Sequence, residues 1–120
     1  MSLSMYSSSV PVCIRYLRNL SVLLTKAQAY AVQKKIDEKV LTSARLFPDM
    51  LPLSRQVQIA SDVSKAAAAR LGSIEMPKFE DTETTFAELQ ERIAKTIAFL
   101  ETVQAAQIDG TEEKEITIQA

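Results

Sequence analysis

Apolar residues recur at alternating steps of three and four near the start of the chain: Val10, Cys13, Leu17, Leu20, Leu24, Ala27 and Ala31. That spacing keeps them on one face of a helix. It predicts a long first helix bounded at about 1–35, with Ser7, Ser8, Ser9 and Pro11 in its early turn, where proline's missing N–H is not needed. Lys34 and Lys35 close it at the end that favours cations. Asp37 suits the N-cap of a short helix over 38–46. Pro48 stops that helix, because proline disfavours helical geometry in the preceding residue, Phe47.

A third helix is predicted over 52–71, with Pro52 at its first position. Its narrow face is Val57, Ala60, Ser64, Ala67 and Leu71. The run "AAAA" at 66–69 adds helix propensity and lets a neighbour approach closely. Gly72 reads as the glycine just past the helix end. The stretch "SIEMPKFEDTE", broken by Pro77, is a connector. Thr85 and Glu88 then have capping-box spacing and open a last long helix over 85–106. Its seam is Phe86, Leu89, Ile93, Ile97, Leu100 and Gln104. Asp109-Gly110 signals a turn, and 110–120 ends as a tail or a short strand.

These elements make one all-α domain over 1–120, an up-down helical bundle of three long helices and one short one. The apolar stripes are wide for three long helices, and large exposed apolar patches seek partners. A fourth long helix is therefore expected to be absent from this chain or supplied from outside, by a homodimer or another helical partner.

Composition narrows the function classes. Among 120 residues there is no Trp and no His, Gly numbers 2, and the net charge is −1. A chain so balanced offers no concentrated basic surface for nucleic acid or an anionic membrane, and it has no aromatic platform for stacking bases. No run reaches the roughly 18 apolar residues of a membrane span. Arg15 and Arg18 interrupt the apolar N-terminal stretch, so it does not read as a signal peptide. The single cysteine, Cys13, excludes an intramolecular disulfide and fits a reducing, cytoplasmic setting.

Little of the usual site chemistry is present. Without His there is no Ser/His/Asp or Cys/His arrangement. Two glycines cannot build a phosphate-binding loop. Cys13 lies on the apolar stripe and reads as a small core residue. Asp49, Asp62 and Glu83 are acids near helix ends, or on a helix, and read as caps or surface groups more readily than as metal ligands. Arg45, Arg55, Arg70 and Arg92 could converge on an anion, but Arg45 with Asp49 and Arg92 with Glu88 also have the four-residue spacing of local ion pairs. The stretch "LFPDMLPLSRQVQIASD" poses a choice between a binding loop and a turn; Pro48 ending one helix and Pro52 starting the next favour a turn around Asp49. The polar residues near it, Asp49, Gln56 and Asp62, are the candidate ligand-binding set.

The stretches "LFPDMLPLSRQVQIASDVSKAAAARL" and "EMPKFEDTETTFAELQERIAKTIAFL" resemble the family called domain of unknown function 1993. Pro48, Asp49, Met50, Pro52, Gln56, Pro77, Glu83 and Arg92 are among the residues that carry the resemblance. It implies a bacterial protein in the DinB/YfiT-like group of four-helix bundles. Many members of that group hold a divalent metal through three histidines, and some are thiol-dependent transferases. This chain has no His, so no metal ligand is carried over and no cofactor is expected. Family members continue past "EITIQA" into a fourth helix. The expected function is association with a second copy or another partner rather than catalysis; the alternative is a small-ligand or metal-dependent DinB-like enzyme without its histidine site.

Overall fold

In the computed structural model, residues 3–118 are described. They form five helices: α1 (Val10–Lys34), α2 (Glu38–Thr42), α3 (Leu53–Gly72), α4 (Phe86–Glu101) and the single turn α5 (Ala105–Ile108). α1, α3 and α4 are the long elements of an all-α bundle, 51 × 32 × 23 Å in extent. α4 packs against both α1 and α3, while α1 and α3 touch each other less.

The path of the chain follows from its connections. The C-terminal half of α1 and the start of α3 line one shared cleft, so these two helices run in opposite directions. Arg18 of α1 meets Glu101, at the end of α4, so α1 is also antiparallel to α4. α3 and α4 therefore run parallel, which requires the chain to travel back between them. The 13 residues of segment 73–85 make that return as an extended strap.

The core is Val10, Leu17 and Leu24 of α1, Val57 and Ala68 of α3, and Phe86, Leu89, Ile93 and Leu100 of α4, closed at one end by Val103 and Ile108. Each large apolar side chain buried there contributes about 1.5–3 kcal/mol. On α1 the predicted stripe faces inward, with Cys13, Leu20 and Ala27 packed at its edge. On α3 the buried face is rotated from the predicted one. Val57, Gln58, Ser61, Lys65, Ala66, Ala68 and Ala69 are inside, whereas Ala60, Ser64, Ala67 and Leu71 are only half-buried. The reason is polar: Ser61 faces Thr96 of α4 across a 2.6 Å hydrogen bond, and Lys65 is held by the strap. A count of apolar residues does not register a face of this kind.

The helix ends also depart from expectation in places. α1 begins at Val10, because residues before it form turns stitched by Ser4 and Ser7. α2 ends at Thr42 rather than near 46, and residues 43–52 form a loop. Pro52 is the N-cap of α3, not its first helical residue. The left-handed position after α3 falls on Ser73 (φ 53°), not on Gly72. Gly72 is instead the last helical residue, where an added Cβ would meet Ile74 Cδ1 at 2.8 Å. α4 stops at Glu101, and 102–104 break it before α5. The Thr85–Glu88 capping box is present: Thr85 Oγ1 accepts from Glu88 N, and Glu88 Oε1 accepts from Thr85 N. Of the tail, residues 110–118 include no strand; 119 and 120 lie outside the described residues.

Candidate functional site

Two features stand out from the bundle: a polar cluster around Arg92 and an apolar cleft between α1 and α3.

Arg92 projects from α4 and is 2% exposed. Its Nη2 donates to Asp62 on α3 at 2.7 Å, and its Nη1 to Asp81 and Glu83 on the strap at 2.9 and 3.0 Å. The same Nη1 donates to the Glu80 carbonyl at 3.1 Å. Lys65, also buried, lies 3.2 Å from Asp62, donates to the Pro77 carbonyl and sits 4.1 Å from the Phe79 ring centre. Arg55 donates to Asp81 and to Gln58, whose amide donates to Glu83. Three carboxylates thus face three cations. Burial alone would push the Arg92 guanidinium down, but the hydrogen bond and charge of Glu83, followed by Asp62 and Asp81, outweigh it and hold the group above its ordinary value. Arg92 Nε has no partner among the described residues. The cluster's chemistry is that of a fastening, since every carboxylate in it is committed to a cation.

The second feature is a cleft of about 620 Å³. Ala27 and Tyr30 of α1, Leu41 of α2, and Leu53 and Gln56 of α3 form its walls. The 43–52 loop supplies Ala44, Arg45, Leu46, Met50 and Leu51. The loop is held by backbone bonds from Met50 N to the Phe47 carbonyl and from Leu53 N to the Ala44 carbonyl. Arg45 Nη1 adds donations to the Pro48 and Met50 carbonyls. The apolar surface continues up α1: Tyr16, Leu23 and Tyr30, seven residues apart and so on one face, are 68%, 59% and 50% exposed.

The three sequence candidates are not brought together. Asp49 sits exposed in the turn between Pro48 and Met50 and is not part of the cleft lining. Gln56 lines the cleft and donates from Nε2 to the Leu51 carbonyl at 3.3 Å. Asp62 belongs to the Arg92 cluster. Nor do the four arginines converge: Arg45 holds the loop, Arg55 and Arg92 hold the strap, and the Arg70 carbonyl accepts from Lys114. Arg92 takes Asp62, Asp81 and Glu83 in place of Glu88, whose carboxylate is occupied as the α4 cap.

The domain of unknown function DUF1993 matches residues 5–120. The chain belongs to the DUF1993 family. A similar solved structure is the crystal structure of a DinB family member protein from Shewanella denitrificans, 42% identical, with a TM-score of 0.83. The match covers 86% of this chain and 59% of that one, so this DUF1993 chain spans about three-fifths of the neighbour's length. No match is found among curated proteins.

The all-α, DinB-like reading of the DUF1993 chain thus holds. The three-histidine metal site that the resemblance implies for the wider group does not fit these residues. The sequence has no His, and among the described residues no three His, Cys, Asp or Glu side chains are placed to hold an ion. Asp62, Asp81 and Glu83 come near one another only around the Arg92 guanidinium. No helix among the described residues is long and apolar enough to cross a membrane.

Two features of the site were missed in the sequence. Arg92 has its signal in the acids of "FEDTE" and in Asp62, but that signal spans 30 residues and depends on the strap's return path. The cleft has its signal in the apolar loop residues Leu46, Phe47, Met50 and Leu51, which a turn alone does not need.

Proposed function

We propose that this DUF1993 chain acts by association, covering its α1–α3 face with a helix from a second copy or from another helical protein. The observation that carries this reading is the exposed line of Tyr16, Leu23 and Tyr30 running into the apolar cleft. Contiguous apolar surface on a folded protein marks interaction sites. A row with this spacing matches the way one helix receives another. Sedimentation over a concentration series, for the native chain and Leu23→Glu, tests it. Concentration-dependent assembly, or binding of an added amphipathic helix, that Leu23→Glu abolishes is the expected result. A native chain that stays monomeric and binds no amphipathic helix overturns the proposal.

A second reading takes the cleft itself as a small-ligand site. Its volume falls within the roughly 300–1,000 Å³ of ligand pockets, and its apolar walls carry Gln56 and Arg45 as polar groups. In this version Gln56 orients the ligand, while Asp49 and Asp62 lie outside the lining. Thermal unfolding with a series of small apolar carboxylates checks it: a shift lost in Gln56→Leu supports the pocket, and no shift with any of them counts against it.

A further inference from the structure

The strap between α3 and α4 is attached in one direction. Among the described residues, no backbone–backbone hydrogen bond involves 75–83. Every side-chain bond that joins this segment to the helices runs from a helix donor to a strap acceptor. Arg55, Gln58 and Lys65 of α3 and Arg92 of α4 are the donors; the Pro77 and Glu80 carbonyls and the Asp81 and Glu83 carboxylates accept. No residue of 75–83 is buried, whereas Gln58, Lys65 and Arg92 beneath it are 5%, 3% and 2% exposed. The ends of the segment are pinned. Ile74 N donates to the Ala69 carbonyl, and the Thr84 carbonyl accepts from Thr42 Oγ1.

α3 and α4 also meet without the strap. Ser61 bonds to Thr96, Arg92 donates to Asp62, and Val57, Leu89 and Ile93 share the core. Open space flanks the strap on both sides. A cavity of about 340 Å³ lies against α4, with Arg92 and Lys95 in its lining, and one of about 370 Å³ lies against α3, with Lys65 and Arg70 in its lining. With the middle of the strap lifted, Arg55, Lys65 and Arg92 share a single carboxylate, Asp62. The acids of α4 do not compensate, since Glu88 caps its own helix and Glu91 lies 3.4 Å from Lys95.

We infer that 75–83 is a lid over an anion site between α3 and α4, and that the ligand of this site is a small polyphosphate. In the closed state Asp81 and Glu83 occupy the places that the ligand's charges take in the open one. A segment with no buried residue and no backbone bond opens without unfolding the helices beside it. Arginine offers phosphate oxygens a planar fork, and lysine a compact point charge. A diphosphate matches the charge of two carboxylates and brings more acceptor oxygens. The site stands apart from the association face, because none of its donors lines the α1–α3 cleft.

A lysine-specific protease reads the opening. Cleavage after Lys78 requires the strap to leave the helices, whereas cleavage after Lys65 or Lys95 requires a helix to unfold. In the native chain, cleavage after Lys78 is expected to be faster than at either helical lysine by about tenfold or more. Pyrophosphate at ten times its dissociation constant for the open site should raise that rate by about tenfold, and sodium chloride at the same ionic strength should not. Two variants separate a ligand site from a plain fastening. Arg55 and Asp81 are 41% and 43% exposed, so losing their pair leaves the fold intact. Both Arg55→Gln and Asp81→Asn should loosen the strap and raise the basal cleavage. In calorimetry, Asp81→Asn should bind pyrophosphate about threefold more tightly and Arg55→Gln about threefold more weakly. ADP, titrated alongside, identifies the source: tighter binding than pyrophosphate assigns a nucleotide, and equal or weaker binding assigns free diphosphate. Cleavage after Lys78 no faster than in the helices, acceleration no greater than with sodium chloride, absence of pyrophosphate binding, or affinities that move in the same direction in both variants overturns the inference.

Discussion

Arg92 of α4 and Asp62 of α3 meet at 2.7 Å, the arginine buried and the carboxylate half-exposed. This pair fixes two parallel helices, and through Asp81 and Glu83 the same guanidinium fixes the strap that makes them parallel. Removing it leaves the Glu83 carboxylate, which is nearly buried, without its cation. Arg92→Ala should destabilise the fold by about 3 kcal/mol, the low end for breaking a buried pair, since Asp62 and Asp81 recover some hydration. Arg92→Lys should lose an intermediate amount, because an ammonium cannot span three carboxylates and a carbonyl in one plane. Urea unfolding of the three proteins measures both.

The hydroxyls of Ser61 and Thr96 share a buried bond at 2.6 Å, and Thr96 also donates to the Arg92 carbonyl. Thr96→Val removes one partner and strands the other, which should cost about 1–3 kcal/mol. Ser61→Ala with Thr96→Val removes the demand on both sides. The double variant should therefore be less destabilised than the sum of the singles, by about 1 kcal/mol of coupling. Unfolding free energies for the complete cycle provide the test.

Much of the bundle was legible because its helices obey local rules. Val10, Leu17, Leu24 and Ala31 repeat every seventh position, and Thr85 with Glu88 announces the start of α4 by spacing alone. What was not legible depends on which segments meet. The inward face of α3 is set by Ser61 and Lys65, whose burial is tolerable only because Thr96 and the strap carbonyls satisfy them. Ala60, Ser64 and Ala67 look like a core face by spacing, yet they stay half-buried, because α4 packs on the neighbouring face. The candidate ligand set is dispersed in the fold for the same reason. Asp49, Gln56 and Asp62 are close in sequence, but Gln56 and Asp62 are six residues apart on a helix and point to different neighbours.

Lys35 holds a left-handed conformation at the end of α1 (φ 57°), and its N–H closes on the Val32 carbonyl. A side chain there costs about 1–2 kcal/mol relative to glycine. Glycine gives back about 0.5–1 kcal/mol through its freer unfolded chain. Lys35→Gly should therefore raise stability by about 0.5 kcal/mol. Ser73→Gly, at the matching position after α3 (φ 53°), should gain less, because Lys114 Nζ donates to the Ser73 hydroxyl. Thermal unfolding of the two variants ranks them.

Glu88 gives the fold a pH dependence whose sign is set by the α4 cap. Its carboxylate accepts first from the Thr84 N–H, then from the Thr85 hydroxyl and N–H, and these bonds hold it below its ordinary value of 4.5. A group depressed in the folded state stabilises at pH above its unfolded value and loses that contribution as pH falls through its folded value. The Glu88 contribution should thus be complete near neutral pH and shrink below 4.5. Glu88→Gln keeps a side-chain acceptor at the cap and removes the titration. The stability gap between the native chain and Glu88→Gln should be constant near neutral pH and narrow in acid. Chemical unfolding followed across that range measures it; a gap that widens as pH falls would mean that the folded state binds the Glu88 proton more tightly than the unfolded chain does.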